Sequence, residues 1–287
     1  METNEAKFQA WVQQVHSPEL NAYVVEGDIL ISDLSDLKDY FDRHHNHQQS
    51  LPALPQEGDL ARQSTPLTVN QVCSENCSEN CANPVECNDD RWGDEQKRQL
   101  TYCVADAFNE HHAEVVEALQ SAAEKWSDAI DVQFIYKADE DTNCKSENEN
   151  VVFVVQPTND TGSNAYAPFP SSIRGEHKPL FFNWVKLKMD VEGSKWKTPG
   201  GIALHELGHV LGFQHEQTSL QGGPCQERQQ GEGPPLRMRL LREKYDAHSV
   251  MHYRNGCGDP TFFVDYALTK EDMDAAIDIY GPSPTRR

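Results

Sequence analysis

The chain has 287 residues, of which 25 are Lys or Arg and 46 are Asp or Glu, so its formal net charge is −21 at pH 7. This surplus of negative charge repels nucleic acids and anionic lipid surfaces, and neither is an expected partner. No run approaches the roughly 18 apolar residues that span a bilayer, so we expect no membrane insertion. Residues 1–14 also lack the basic start and apolar core of a secretion signal.

The even number of cysteines favours disulfides and an oxidising compartment. They are Cys73, Cys77, Cys81, Cys87, Cys103, Cys144, Cys225 and Cys257. The first four have C-x3-C-x3-C-x5-C spacing, which does not match the C-x2-C pairs of zinc ribbons. Free thiols or a metal cluster are the alternatives. We therefore expect a secreted, extracellular protein, although no signal peptide is visible.

Composition divides the chain into three parts. Residues 48–90 are rich in Pro, Gln, Ser, Asn and Glu and poor in large apolar groups, which is typical of a linker without a core of its own. We predict an amino-terminal segment at residues 1–50, a flexible cysteine-containing linker at 51–87 and a folded domain at 88–287.

The predicted elements of the domain begin with a strand at Leu100–Val104. A helix follows, in which Val115, Leu119, Ala122 and Trp126 lie at steps of 4, 3 and 4 and form one buried face. Three further runs rich in β-branched and aromatic residues predict strands at Val132–Tyr136, Asn150–Pro157 and Leu180–Leu187.

The last predicted element is a helix that begins after Thr269. Asp272 lies three residues later and completes a capping box, and Gly281 provides the stop. Strands and helices mix along the chain without a strict βαβ repeat. We therefore expect the α+β class, with a twisted mixed sheet backed by helices.

The stretch HELGHVLGFQH, from His205 to His215, carries the chemistry. His205 and His209 are four residues apart, so on a helix they share one face and can hold one tetrahedral metal, with Glu206 beside them. Gly212 can adopt a positive φ and end the helix sharply, which lets the chain bring in His215 as a third ligand. Two helix histidines alone could be solvated or core groups, but the full string fixes five positions. It predicts a Zn²⁺ site in which Glu206 activates water.

This string resembles the zinc signature of the metzincin metalloendopeptidases, and Glu216 directly after the third histidine is similar to the astacin branch. Downstream, SVMHY (Ser249–Tyr253) resembles the methionine turn, in which Met251 packs beneath the metal. The resemblance implies a divergent astacin-like enzyme with a mixed sheet, a backing helix, an active-site helix and a carboxy-terminal helix. It also implies that Tyr253 is a fifth zinc ligand that swings away to stabilise the oxyanion; a core tyrosine is the alternative.

The resemblance further implies a substrate-binding edge strand. GSNAYAPFP, at Gly162–Pro170, lies where metzincins pair with extended substrates through main-chain bonds. The expected substrate-binding residues are Asn164, Ala165, Tyr166 and Ala167. The implied enzyme is a monomer that hydrolyses peptide bonds in protein or peptide substrates, with Glu206 taking a proton and passing it to the leaving amine.

Two disulfides are expected within the domain. They pair Cys103 with Cys144 and Cys225 with Cys257, and the second pair would close a loop around the methionine turn.

The stretch VVEGDILI, at Val24–Ile31, resembles the pro-segment motif of astacins, in which an aspartate reaches the zinc and displaces the catalytic water. Asp28 is the matching residue, and Gly27 allows close approach of the backbone. Val25 departs from the motif, which commonly has an aromatic residue there. A plain β-turn between two short strands is the alternative. Together with the zinc signature, the motif predicts a zymogen that is cleaved between about residues 51 and 90.

Two rival hypotheses remain. A cysteine switch would place Cys73, Cys77, Cys81 or Cys87 on the zinc as thiolate. A secreted or injected effector would use the cleft for binding without turnover. The other histidines, at residues 44, 45, 47, 111 and 112, are expected to be solvated surface groups.

Overall fold

The computed structural model describes residues 4–25, 28–31, 33–45, 67–73, 87–160, 162–175, 177–192, 198–216, 238–241, 246, 248–252 and 267–286. The helices are α1 (Asn4–Val15), α2 (Leu34–His45), α3 (His112–Ala129), α4 (Pro170–Arg174), α5 (Trp184–Glu192), α6 (Pro199–Val210) and α7 (Lys270–Tyr280). The strands are β1 (His16–Ser17), β2 (Ala22–Val25), β3 (Ile29–Ile31), β4 (Thr68–Cys73), β5 (Cys87–Asp89), β6 (Leu100–Val104), β7 (Phe134–Tyr136), β8 (Phe153–Pro157), β9 (Ala165–Pro168), β10 (Pro179–Phe182) and β11 (Met238–Leu240). None of the described helices is long and apolar enough to cross a membrane.

The main sheet is mixed and has the strand order β1-β2-β3-β9-β10-β8-β6-β7. Strands β10, β8, β6 and β7 run parallel to one another, and β9 is antiparallel to β10. The predicted α+β class with a mixed sheet and helices is therefore confirmed. Strands β1, β2 and β3 come from the amino-terminal segment and extend this sheet beyond β9.

Helices α3 and α6 pack against each other within the main hydrophobic core. The predicted buried face of α3 is confirmed, since Val115, Leu119, Ala122 and Trp126 are all buried. Trp126 also donates its indole N–H to the Leu204 carbonyl of α6 at 2.9 Å. The backing helix is thus fixed to the histidine-bearing helix by a hydrogen bond as well as by packing.

The prediction of one strand over Leu180–Leu187 is wrong in its second half. Strand β10 ends at Phe182, and α5 begins at Trp184. Asn183 causes the change, because its side-chain oxygen accepts a hydrogen bond from the Lys186 N–H at 3.0 Å and its carbonyl accepts from Leu187 at 2.9 Å. Such a cap starts a helix even when the residues that follow favour strands. Strands β7 and β8 also begin later than predicted, at Phe134 and Phe153.

Part of the expected linker is folded into the domain. Strand β4 pairs with β5 and β11 in a three-stranded antiparallel sheet. Leu67 and Val69 belong to the main hydrophobic core and are fully buried. Residues 67–73 therefore contribute to the stability of the domain, which differs from the flexible linker expected at 51–87.

The amino-terminal segment has a small core of its own. Its members come from α1, β2, β3 and α2, and the domain contributes Phe169, which lies between β9 and α4. The buried members are Phe8, Val12, Val25, Ile29, Ile31, Leu37, Phe41 and Phe169. The segment therefore packs on the domain as a folded unit rather than as an extended strap.

The expected disulfide between Cys103 and Cys144 is confirmed. It joins β6 to the turn after a short 3-10 helix at Ala138–Asn143, and both cysteines are buried. The other expected pair, Cys225 with Cys257, lies outside the described residues.

Replacing Cys103 and Cys144 together with Ala should lower the free energy of unfolding by about 2–4 kcal/mol, because the cross-link spans 41 residues and restricts the unfolded chain. Urea denaturation measures the loss. Oxidised wild-type protein is the control, measured without reductant so that every other disulfide stays intact in both proteins. A double variant as stable as the oxidised wild type would contradict the structural role of this disulfide.

Candidate metal centre and cleft

Helix α6 carries the metal-ligand motif through the centre of the domain. It begins with Pro199 after Thr198, whose hydroxyl accepts from the Gly201 N–H at 3.0 Å. Every residue of α6 from Gly201 to Val210 is buried, as expected for a helix that is apolar on most sides. The helix is thus held as a rigid element inside the core.

Two aromatic residues satisfy the carbonyls at the end of α6. The indole N–H of Trp92 donates to the Val210 carbonyl at 2.8 Å, and the hydroxyl of Tyr280 donates to the Leu211 carbonyl at 2.6 Å. Carbonyls at a helix end have no N–H donors within the helix, so these two side chains supply the missing hydrogen bonds.

The turn after α6 requires glycine. Gly212 has φ +95°, and a Cβ there would come within 2.0 Å of the Asp90 carbonyl oxygen. The Asn70 N–H donates to the Gly212 carbonyl at 2.9 Å and fixes the turn from the other side. The predicted positive φ is therefore confirmed, and the turn brings His215 back toward the helix.

The structure brings together His205, His209, His215 and Asp28, all buried. The Nε2 atoms of His209 and His215 are 3.2 Å apart. Asp28 Oδ1 lies 3.0 Å from His215 Nε2 and 3.6 Å from His209 Nε2, and its Oδ2 lies 3.4 Å from His205 Nε2. Ligands about 2.0–2.1 Å from a tetrahedral zinc are about 3.3–3.4 Å from one another. The four distances are close to that spacing, and all four ligand atoms lie within 4.8 Å of one another.

Backbone carbonyls fix two of the imidazoles. His205 Nδ1 lies 2.6 Å from the Val250 carbonyl oxygen, and His209 Nδ1 lies 2.8 Å from the Phe213 carbonyl oxygen. A carbonyl only accepts, so in both residues Nδ1 carries the proton. The lone pair of Nε2 is thereby left facing the centre, as metal binding requires.

Electrostatics in the site favour a charged Asp28 and a neutral His209. Burial opposes ionisation of Asp28, but the electrostatic attraction of His215 and the close contacts with the three imidazoles hold the pKa of its carboxyl well below the usual range. Burial lowers the pKa of His209 to about 4. Burial and the nearby charge of Asp28 raise the pKa of Glu206 well above its ordinary value. Both effects favour the protonated form of Glu206 over the charged form.

The donor set fits a zinc ion. Asp28 Oδ1 and Glu206 Oε2 are buried and have no hydrogen-bond partner among the described residues. A buried carboxylate oxygen without a hydrogen bond is costly unless a cation or a proton stabilises it. Three imidazoles and a carboxylate are ligands that zinc binds readily.

The methionine turn lies under the site. Met251 is fully buried, and a Cβ on Gly208 would come within 2.3 Å of its sulfur. Glu216 is also fully buried; its N–H donates to the Met251 carbonyl at 2.9 Å. The Glu216 carboxyl accepts from the backbone N–H groups of Leu67 and Asp246 at 2.5 and 2.9 Å. Burial raises the pKa of Glu216 well above its usual value, although these hydrogen bonds oppose the rise.

The expected substrate edge is covered by the amino-terminal segment. Strand β9 pairs in parallel with β3, with Ile29 opposite Ala167 and Leu30 opposite Pro168. The Ala167 N–H donates to the Asp28 carbonyl at 2.9 Å. The other expected substrate-binding residues, Asn164, Ala165 and Tyr166, are buried as well.

Some expected residues cannot be compared with the structure. Tyr253 and Gly27 lie outside the described residues, as do Cys77 and Cys81. Strands β4 and β5 place Cys73 opposite Cys87, but their side chains are not described. His112 differs from the expected solvated group, because its Nε2 lies 3.0 Å from both the Val104 carbonyl and the Asp141 carboxylate.

Sequence reasoning missed several supports of the site. Phe169 meets the His209 ring edge-on with centroids 5.8 Å apart. Asn70 joins Gln214 at 3.2 Å and Asp90 at 3.0 Å through its side-chain amide. Nothing in the local sequence pattern marks these residues, because their partners are distant along the chain.

Comparison with known proteins identifies related sequences over a limited region. Bone morphogenetic protein 1 from Xenopus laevis is 36% identical over 87 residues, which are 26% of this chain and 12% of that protein. Tolloid-like protein 1 from Homo sapiens is 35% identical over 85 residues, which are 25% of this chain and 8% of that protein. Zinc metalloproteinase nas-39 from Caenorhabditis elegans is 34% identical over 92 residues, which are 28% of this chain and 10% of that protein. The match thus spans about a tenth of the length of these relatives, and it confirms the resemblance to astacin-like metalloproteases.

No protein-family model matches the chain. Among solved structures, high choriolytic enzyme 1, a hatching enzyme zinc-protease from Oryzias latipes, has a TM-score of 0.40 and 17% sequence identity. That comparison covers 64% of this chain and 89% of the hatching enzyme.

Replacing Gly212 with Ala should lower the free energy of unfolding by about 2–4 kcal/mol, because the new Cβ adds left-handed strain and a backbone clash. Zinc affinity should fall as His215 is displaced. Chemical denaturation and competition with a chelator measure the two effects. Gly200→Ala is the control, since its Cβ would meet only the Ala118 carbonyl at 3.9 Å. Equal behaviour of the two variants would contradict the role of Gly212.

Proposed function

We propose that the chain is a zinc-dependent endopeptidase that hydrolyses peptide bonds in protein or peptide substrates, and that its full-length form is a latent zymogen. One observation carries the proposal: the Asp28 carboxylate lies within 3.0–3.6 Å of the Nε2 atoms of His205, His209 and His215. Three imidazoles supply the ligand set of a catalytic zinc site, and the aspartate takes the remaining position.

The active site consists of a zinc held by the three histidines and of Glu206 as general base. Zinc bound there supplies a Lewis acid for the scissile carbonyl and lowers the pKa of water. Glu206 is buried beside the histidines and its pKa is raised, which strengthens it as a base that takes a proton and returns it to the leaving amine. Tyr253 is proposed to stabilise the oxyanion and to serve as a further zinc ligand.

Latency has two physical components. The side chain of Asp28 occupies the place where water must be activated. Its backbone carbonyl accepts from Ala167, and β3 takes the edge of β9 that an extended substrate would need. A substrate must therefore displace both a charged ligand and a strand. On removal of the segment, Asn164, Ala165, Tyr166 and Ala167 would become the substrate-binding edge.

Asp28 favours an aspartate switch over a cysteine switch, because it already lies at the three histidines. Among the side chains that the structure describes, the buried four-residue group at the site contains Asp28 and no cysteine. The rival in which the cleft binds without turnover predicts no proteolysis under any condition. Chelator-sensitive cleavage of casein by the processed protein would support the endopeptidase and contradict binding without turnover.

The folded β4 strand limits where the activating cut can fall. Leu67 and Val69 are buried in the core, and Asn70 holds the turn after α6. Loss of this strand would expose the core and release the turn that carries His215. We therefore place the cut before Leu67, in the amino-terminal part of the expected interval. The Cys103–Cys144 disulfide supports a secreted protein, and we retain a monomer as the working assembly.

Asp28→Ala should raise the proteolytic activity of the uncleaved chain at least about tenfold, which corresponds to about 1.4 kcal/mol of lost inhibition. Casein hydrolysis by intact protein, checked for length by mass spectrometry, measures the change. Glu19→Ala is the control, because it removes an exposed carboxylate from the same segment. Full activity of the uncleaved wild type would contradict latency.

Glu206→Gln, made in the processed protein, should reduce kcat by about 10²–10⁴-fold, since the amide cannot accept the proton. Zinc content should stay at one ion per chain, because Glu206 is not a ligand. Peptide hydrolysis and metal analysis test both expectations. Near wild-type turnover would contradict the assignment of the base.

A further inference from the structure

Asp272 is a buried carboxylate next to the methionine turn and outside the four-residue metal group. Its Oδ1 accepts from the Ser249 hydroxyl at 2.6 Å, and its Oδ2 accepts from the N–H groups of Val250 and Thr269 at 2.9 and 3.1 Å. All three partners are donors, which favours the ionised carboxylate. Burial raises the pKa of Asp272 to about 6, and these hydrogen bonds oppose the rise.

A continuous hydrogen-bond chain connects Asp272 to the metal-site imidazole of His205. Nδ1–H of His205 donates to the Val250 carbonyl at 2.6 Å. The N–H of the same peptide group belongs to Met251 and donates to the Ser249 hydroxyl oxygen at 3.1 Å. The Ser249 hydroxyl then donates to Asp272 at 2.6 Å.

Every bond in this chain has the same polarity. Each donor points toward the carboxylate, so each bond polarises the next, and the effect ends at the imidazole. Metal-binding histidines commonly donate their second N–H to a carboxylate or a carbonyl, which fixes the tautomer and makes the ring a better ligand. Here one peptide group and one hydroxyl connect the carboxylate to the ring.

We infer that Asp272 is a positioning residue for His205, and that together with Ser249 it raises the affinity of the site for zinc. The inference rests on the proposed zinc site. It gives a capping residue of the carboxy-terminal helix a part in metal binding, and it explains why its side chain lies inside the core.

A purely structural role makes a different prediction. Asp272 also forms the capping box of α7 with Thr269, whose hydroxyl accepts from the Asp272 N–H at 3.0 Å. If Asp272 acted only by stabilising α7, then replacing either Asp272 or Thr269 would lower the zinc affinity equally. The Thr269 side chain takes no part in the hydrogen bonds that connect Asp272 to His205. Its replacement therefore separates helix capping from the effect on the metal site.

The test uses three variants of the full-length chain. Asp272→Asn keeps the volume and an acceptor for Val250, but it gives the Ser249 hydroxyl no carboxylate. Ser249→Ala interrupts the series of hydrogen bonds to His205 while Asp272 remains. Thr269→Ala weakens the cap and removes the hydroxyl's hydrogen bond to Asp246, but it leaves the hydrogen bonds between Asp272 and His205 intact. Zinc affinity is measured by competition with a chromophoric chelator below the unfolding temperature, and the cobalt-substituted proteins are compared by absorption spectroscopy.

The Asp272→Asn and Ser249→Ala variants should each bind zinc about three- to tenfold more weakly than wild type, and their cobalt absorption bands should shift. This loss is smaller than that from removing a group hydrogen-bonded directly to a metal-binding histidine, because Asp272 acts through intermediate groups. Thr269→Ala should lower the melting temperature yet keep zinc affinity within about twofold of wild type, because it leaves the chain to His205 intact. Unchanged affinity in the first two variants, or an equal loss in the third, would overturn the inference. A wild-type chain that binds no zinc would instead overturn the proposed function.

Discussion

The rest of the structure depends on holding three imidazole nitrogens within 4.8 Å of one another inside an apolar core. Bringing His205, His209 and His215 together is costly unless each ring is fixed and a cation or carboxylate balances the centre. Helix α6 sets the first two rings, the Gly212 turn sets the third, and carbonyls of Val250 and Phe213 fix two tautomers. Much of the fold supports these three residues.

The supports come from parts of the chain that are far apart in sequence. Trp126, Trp92 and Tyr280 satisfy carbonyls along and beyond α6. Strand β4 fixes the Gly212 turn through the Asn70 N–H, and the Val250 carbonyl in the methionine turn fixes the His205 imidazole. The same convergence supports the proposed latency, because the amino-terminal segment extends the main sheet and presents Asp28 to the centre. In the proposed zymogen, inhibition and catalysis would use one set of nitrogen atoms.

Sequence reasoning located the histidines, Asp28, the methionine turn and the capping box, because each carries local spacing or a motif. It also expected the Cys103–Cys144 pair, although no local motif marks it. It did not find the helix after Asn183, since β-prone residues hid a cap. It also placed β4 in a linker, because polar composition outweighed two buried apolar residues, Leu67 and Val69. The links through Asp272 and Asn70 have no local signature, since only the fold brings their partners together.

The central claim is that Asp28 occupies the fourth position of a three-histidine zinc site in the intact chain. A crystal structure of the full-length protein grown with zinc tests it most directly. The account predicts a carboxylate oxygen of Asp28 about 2.0–2.2 Å from a zinc that is also bound by the three imidazoles. A zinc that carries water at that position, with Asp28 turned away, would contradict it.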